Sequence, residues 1–262
     1  MNRFQQLFSN PGKKAFIPFF MLGDPTPENS LELIKTAIDA GADALELGIP
    51  FSDPIADGPI IQASAERALH AGTNFSVCVQ LLKKIRAYSQ IPIGLLVYFN
   101  LLYRQGIQKA HQTLHESGVD AILAVDLPLE ESNEHEASLK EHQLGCIELI
   151  APNTSSERAL ELLNHSSAFT YIVSGYGTTG VQQQLQKDLF TRIAELKALS
   201  NKPLVLGFGI KNASQVHELF QHSEINGVII GSAITEMIAA NLNTISTTKE
   251  QISSLVTQSI AR

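Results

Sequence analysis

Ala15-Phe16-Ile17-Pro18-Phe19-Phe20 is an unbroken apolar run, and a turn-rich segment with Gly23, Asp24 and Pro25 follows it. Then comes Leu31-Glu32-Leu33-Ile34-Lys35-Thr36-Ala37-Ile38-Asp39-Ala40, ended by Gly41. The first run has no polar alternation, as expected of a parallel strand covered on both faces. In the second, Leu33, Ile34, Ala37 and Ile38 share one helical face. Pro27-Glu28-Asn29-Ser30 supply start signals, and Gly41 stands where a C-cap belongs. The segment reads as one strand-helix unit.

Working outward, the unit recurs. Further apolar runs lie at Ala44–Leu47, Ile93–Tyr98, Ala121–Val125, Gly145–Ile150, Phe169–Val173, Pro203–Gly207 and Gly227–Ile230, which makes eight with the first. Helical spacing returns between them, for example over Gln183 to Leu199 and Asn212 to His222. Met1 to Phe8 reads as a short amphipathic helix ahead of the first unit. Eight such units joined by right-handed crossovers close into a (β/α)₈ barrel; the competing arrangement is a doubly wound open sheet. The longest interval follows the second run and predicts an extended loop there, opening with Ile49-Pro50-Phe51-Ser52-Asp53-Pro54-Ile55-Ala56-Asp57-Gly58-Pro59. No linker-like composition divides the chain, so residues 1–262 are expected to form one barrel domain.

Composition narrows the function. Hydrophobic residues make up 44% of the 262 positions and charged ones 17%, a globular balance. The formal charge of −7 and the lack of a dominant basic patch argue against nucleic-acid or anionic-membrane partners. Lys83-Lys84-Ile85-Arg86 reads as a solvated helix face. Cys78 and Cys146 do not form a disulfide framework and are expected to be reduced core residues. The most apolar stretch, Ile91 to Tyr103, is interrupted and too short to span a bilayer, and no signal peptide stands at the start. A cytoplasmic protein is expected.

In a barrel the chemistry belongs just after the strands. Glu46, between Leu45 and Leu47, is a carboxylate on a buried strand, costly unless it is paired or has a task. Two readings follow: a structural ion pair, or an acid/base group whose pKa is raised by its apolar surroundings. Asp57, on the loop above, is expected to be more solvated and ionised, so that the two divide acid and base work. Glycines cluster after strands six to eight, at Gly175, Gly177 and Gly180, at Gly207 and Gly209, and at Gly231-Ser232. Backbone N–H groups and a helix N-terminus there suit a phosphate, with Ser232 as cap and donor; tight turns alone are the alternative. Asp126 reads equally as functional or as a loop cap, and Tyr98 and Tyr171 read as core or pocket wall. His111 and His115 stand four apart, yet without a third ligand they read as a solvated face. No metal or redox cofactor is implied.

The segment Leu45-Glu46-Leu47-Gly48-Ile49-Pro50-Phe51-Ser52-Asp53-Pro54-Ile55-Ala56-Asp57-Gly58-Pro59 closely resembles the signature of the tryptophan synthase α chain family. Shorter pieces follow in the family's order, among them Leu22-Gly23-Asp24-Pro25, Asp126-Leu127-Pro128, Gly207-Phe208-Gly209-Ile210 and Gly231-Ser232-Ala233-Ile234. The resemblance implies a (β/α)₈ barrel that cleaves indole-3-glycerol phosphate to indole and glyceraldehyde 3-phosphate by a retro-aldol reaction. It makes Glu46 the main acid/base and sets Asp57 against the indole N–H. Gly180, Gly209, Gly231 and Ser232 hold the phosphate; Phe19, Tyr171 and Phe208 surround the indole; and Thr179 belongs to a loop that orders over the substrate. It also implies an αββα complex in which pyridoxal phosphate belongs to the β chain and none to this one.

Three positions depart from the family pattern. Gly175 stands where Arg is usual and Thr178 where Val is usual, which bears on loop closure and coupling to the partner. Met21 replaces a smaller or hydroxyl residue and is expected to narrow the pocket. The alternatives are a sugar-phosphate isomerase barrel of tryptophan or histidine synthesis, and a mainly regulatory α-like subunit.

Overall fold

The computed structural model describes residues 2–10, 12–173, 182–207 and 209–261. Eight parallel strands follow one another round a closed barrel: β1 (Ala15–Met21), β2 (Leu45–Gly48), β3 (Ile93–Val97), β4 (Ala121–Ala124), β5 (Gly145–Ile150), β6 (Phe169–Val173), β7 (Leu204–Gly207) and β8 (Gly227–Ile230). β8 pairs with β1, so the sheet closes and the open-sheet alternative falls. The helices are α1 (Arg3–Phe8), α2 (Pro27–Asp39), α3 (Pro59–His70), α4 (Phe75–Tyr88), α5 (Phe99–Gln105), α6 (Ile107–Glu116), α7 (Asn133–Glu141), α8 (Ser156–His165), α9 (Gln182–Leu199), α10 (Ala213–His222), α11 (Ser232–Ala240) and α12 (Ile245–Ile260). A short 3₁₀ turn spans Leu129–Glu131.

Strand parity separates two cores. Leu45, Leu47, Leu95, Val97, Leu204 and Leu206 point outward into the layer shared with the helices. Ile17, Phe19, Leu96, Ile147, Tyr171, Val205 and Ile229 point inward and fill the barrel. Both faces are therefore dry, and strands buried on both faces read as continuous apolar runs. The same parity turns Glu46 inward.

Local chemistry sets the element ends. Thr26, one residue before the expected start signals, caps α2 by accepting from the Asn29 N–H, with Pro27 in the first turn. Gly41 ends the unit at φ +101°. Asn2 and Gln5 form a reciprocal capping box at the start of α1. α1 then inserts the fully buried Phe4 beneath the barrel, its ring centroid 5.2 Å from that of Phe169. The extra chain after β2 is only partly loop: it also builds a second helix, so that α3 and α4 both precede β3.

Several surface expectations change. Only Lys83 and Lys84 of the basic stretch face solvent. Ile85 is core, and Arg86 turns inward to Asp120 at 3.0 Å and to the carbonyls of Gly118, Ser89 and Ile91. His111 is fully buried, not solvated. Its Nδ1 lies 2.7 Å from Ser138 Oγ and its ring packs on His135, because α7 covers that face of α6. Burial pushes its pKa down to about 3. No metal-holding group of three His, Cys, Asp or Glu exists among the described residues. Cys78 is core, as expected; Cys146 is only half-buried and donates to Glu148. No helix of the described residues is long and apolar enough to cross a membrane.

Candidate active site

β2 places Glu46 in register between Phe19 of β1 and Gly94 of β3. It is 3% exposed, and its Oε1 has no hydrogen-bond partner among the described residues. No cation pairs with it there either, which removes the structural ion-pair reading. Desolvation, reinforced by the Asp57 charge, lifts its pKa to about 8. With that pKa Glu46 keeps its proton at neutral pH, held in an apolar wall.

Asp57 reaches the same cleft from the loop after β2. Its carboxylate accepts from the Tyr98 hydroxyl at 2.9 Å, and the same hydroxyl accepts from the Ala56 N–H at 3.0 Å. Partial burial raises the Asp57 pKa, and the Tyr98 bond opposes that rise. The two carboxyls thus occupy unlike settings, one dry and unpartnered, one at the mouth and hydrogen-bonded. Such a pair can divide proton donation from charge stabilisation.

The cleft is lined by Phe19, Glu46, Asp57, Ile61, Leu96, Tyr171, Gly209, Ile210, Ile229, Gly231 and Ser232. Seven of the sequence-derived site residues therefore meet in one place: Phe19, Glu46, Asp57, Tyr171, Gly209, Gly231 and Ser232. Thr179, Gly180 and Phe208 lie outside the described residues, as do Gly175 and Thr178. The free volume between the described walls is about 40 Å³. A larger cavity of about 720 Å³ opens at the opposite end of the barrel, around Arg3, Arg86 and Asp120. Both guanidinium groups there are already bound to Asp120 and neighbouring oxygens.

The polar end of the cleft is the start of α11. Gly231 is its N-cap residue and Ser232 its first helical residue, with no side-chain cap bond, so Ser232 does not cap the helix as expected. The first-turn N–H groups of a helix have no partner within it, and they carry the positive end of its dipole. A Cβ on Gly231 would come within 3.2 Å of the Phe19 ring. Gly209, at φ +76°, completes the rim in a conformation that favours glycine.

Gly207 has a packing reason of its own: a Cβ there would lie 2.1 Å from the Tyr171 hydroxyl. The missing side chain makes room for that buried tyrosine. Met21 packs over Gly48 and is absent from the cleft wall, so the expected narrowing does not occur by direct lining. Asp126 caps one strand back from where it stands, accepting from the Phe99 N–H at 2.7 Å. Ile61, Leu96, Ile210 and Ile229 were not singled out from the sequence, although the inward parity of Leu96 and Ile229 marks them as interior. The Tyr98 contact to Asp57 joins residues 41 positions apart, and no local signal reveals it.

The sequence profile of the tryptophan synthase alpha chain matches residues 4–261. The tryptophan synthase alpha chain of Methanothermobacter thermautotrophicus is 42% identical over 91% of this chain and 88% of its own length. The crystal structure of tryptophan synthase subunit alpha from Legionella pneumophila superposes with a TM-score of 0.89 at 31% identity, covering 99% of this chain and 97% of that one. A chain of the tryptophan synthase α2β2 complex from Pyrococcus furiosus gives a TM-score of 0.86 at 35% identity, covering 94% and 97%.

Proposed function

Because this chain belongs to the tryptophan synthase alpha chain family, we propose that its cleft cleaves indole-3-glycerol phosphate, with Glu46 as proton donor, Asp57 facing the indole nitrogen and the start of α11 holding the phosphate. The observation that carries the assignment of roles is the buried Glu46, protonated at neutral pH and with no partner for Oε1 among the described residues, standing in one cleft with Asp57.

Glu46 donates its proton to the indole carbon that bears the side chain, leaving a positive charge shared with the ring nitrogen. The Asp57 carboxylate stabilises that charge through the ring N–H. Glu46, now ionised, takes the proton from the adjacent side-chain hydroxyl. Its oxygen becomes a carbonyl, the carbon–carbon bond breaks, and the bonding electrons return to the ring. One proton enters and one leaves, so the acid is restored. Phe19, Leu96, Ile229 and Tyr171 wall the aromatic part. The backbone N–H groups of Gly209, Gly231 and Ser232 bind the phosphate at the dipole of α11. That remote binding energy orients the reacting bond.

The chain works as the α subunit of an α2β2 complex that makes tryptophan, and indole passes to the β chain, whose pyridoxal phosphate serves the second reaction; this chain uses no cofactor of its own. The exposed apolar side chains Ile55 (83%) and Tyr103 (66%) sit on the loop after β2 and on α5, at the C-terminal face where the cleft opens. That face suits docking of the partner that receives indole. The test is indole release from indole-3-glycerol phosphate with and without the β chain. Release that rises on adding it supports the assignment; none from a folded sample in either condition refutes it.

A further inference from the structure

Tyr98 stands just past β3, at the N-cap of α5, and is almost wholly buried although it does not line the cleft. It grips the loop after β2 at two points. Its ring stacks on Phe51 at a centroid separation of 5.0 Å and 25° between planes. Its hydroxyl accepts from the Ala56 N–H and donates to Asp57 Oδ2. The next backbone group, the Phe99 N–H, is bound in turn to Asp126, so loops after β2, β3 and β4 are tied into one chain of contacts.

Asp57 needs such a grip. Its loop is largely exposed, and its side chain has no other hydrogen-bond partner among the described residues. We propose that Tyr98 is the positioning residue of this site, its hydroxyl fixing the Asp57 carboxylate in the direction from which it meets the positively charged ring. The proposal rests on the role given to Asp57 above. The titratable groups around that carboxylate are Glu46 on β2, Tyr98 itself, Tyr171 on β6, and Asp126 near Tyr98. None is a cation, so the Tyr98 hydroxyl is the group here that favours ionised Asp57.

Tyr98→Phe keeps the ring on Phe51 and removes only the hydroxyl. In the complex with the β chain, kcat for indole release is expected to fall about tenfold, with KM nearly unchanged. The acid limb of the kcat/KM profile should move up by about one pH unit, because Asp57 then holds its proton more tightly. Asp57→Asn and the double variant are measured beside it. In the Asp57→Asn background the tyrosine change should cost no further rate. If Tyr98→Phe keeps the parental kcat and acid limb while Asp57→Asn is inactive, the positioning role falls and the Asp57 assignment stands. An active Asp57→Asn overturns that assignment, and additive losses in the double variant show Tyr98 acting independently of Asp57.

Discussion

At the residue scale, Glu46 links burial, titration and rate. Its folded-state pKa of about 8 exceeds the unfolded value of 4.5, so the folded chain retains a proton that the unfolded chain loses. Stability therefore falls as pH rises from about 4.5 towards 8 and stays reduced above that. Glu46→Gln removes this dependence: its Tm should exceed the parental value near pH 9 and approach it near pH 5. The same substitution should lower the rate about 10²–10⁴-fold with substrate still bound, because amide cannot supply the proton. An unchanged rate would return Glu46 to a structural role. The parental base limb should lie near pH 8, where Glu46 loses its proton. The position of Glu46 between two leucines made its unusual setting legible, since few carboxylates sit on a strand buried on both faces. Its lack of a counter-ion was not legible, because the residues that surround it come from other strands.

At the element scale, the start of α11 and the seat of α3 make separate predictions. Gly231→Asp would set a negative charge at the helix N-terminus proposed to hold the phosphate and add bulk against Phe19. KM for the phosphorylated substrate should rise at least about tenfold, with a smaller change in kcat. An unaltered KM would place the phosphate elsewhere. α3, which follows the Asp57 loop, is anchored through Arg67, whose Nε and Nη2 fork onto the buried Asp24 at 2.8 and 2.7 Å. Arg67→Met leaves that carboxylate unpaired and should cost about 2–4 kcal/mol in urea unfolding. The eight strands were readable within a residue or two, because a two-sided dry environment demands apolar runs. Helix faces were less readable. His111 lies among Gln, Thr and Glu and resembles a solvated stripe, yet α7 packs over it. Arg86 likewise follows two exposed lysines but turns to Asp120.

For the molecule as a whole, the exposed Ile55 and Tyr103 carry the prediction about assembly. Tyr103→Asp should weaken β-chain binding about tenfold or more, measured by titration calorimetry, while indole release by the isolated α chain stays at its parental level. Parental affinity would move the docking face elsewhere. The sequence by itself determined the strand-helix units, their order and the family, and the β8–β1 pairing decided that they close into a barrel. Apolar runs, turn residues and helix ends are local consequences of burial and backbone geometry, and the β2 signature is contiguous. It also named the two carboxylates, because both lie within that signature. Only the tertiary structure decided which partners those residues meet. It showed Glu46 without a cation among the described residues, Asp57 bonded to Tyr98, Gly207 making room for Tyr171, and Gly231 at the head of α11. Each of these depends on residues from separate strands brought within a few ångströms. Closing the barrel creates that proximity, and no interval along the chain records it.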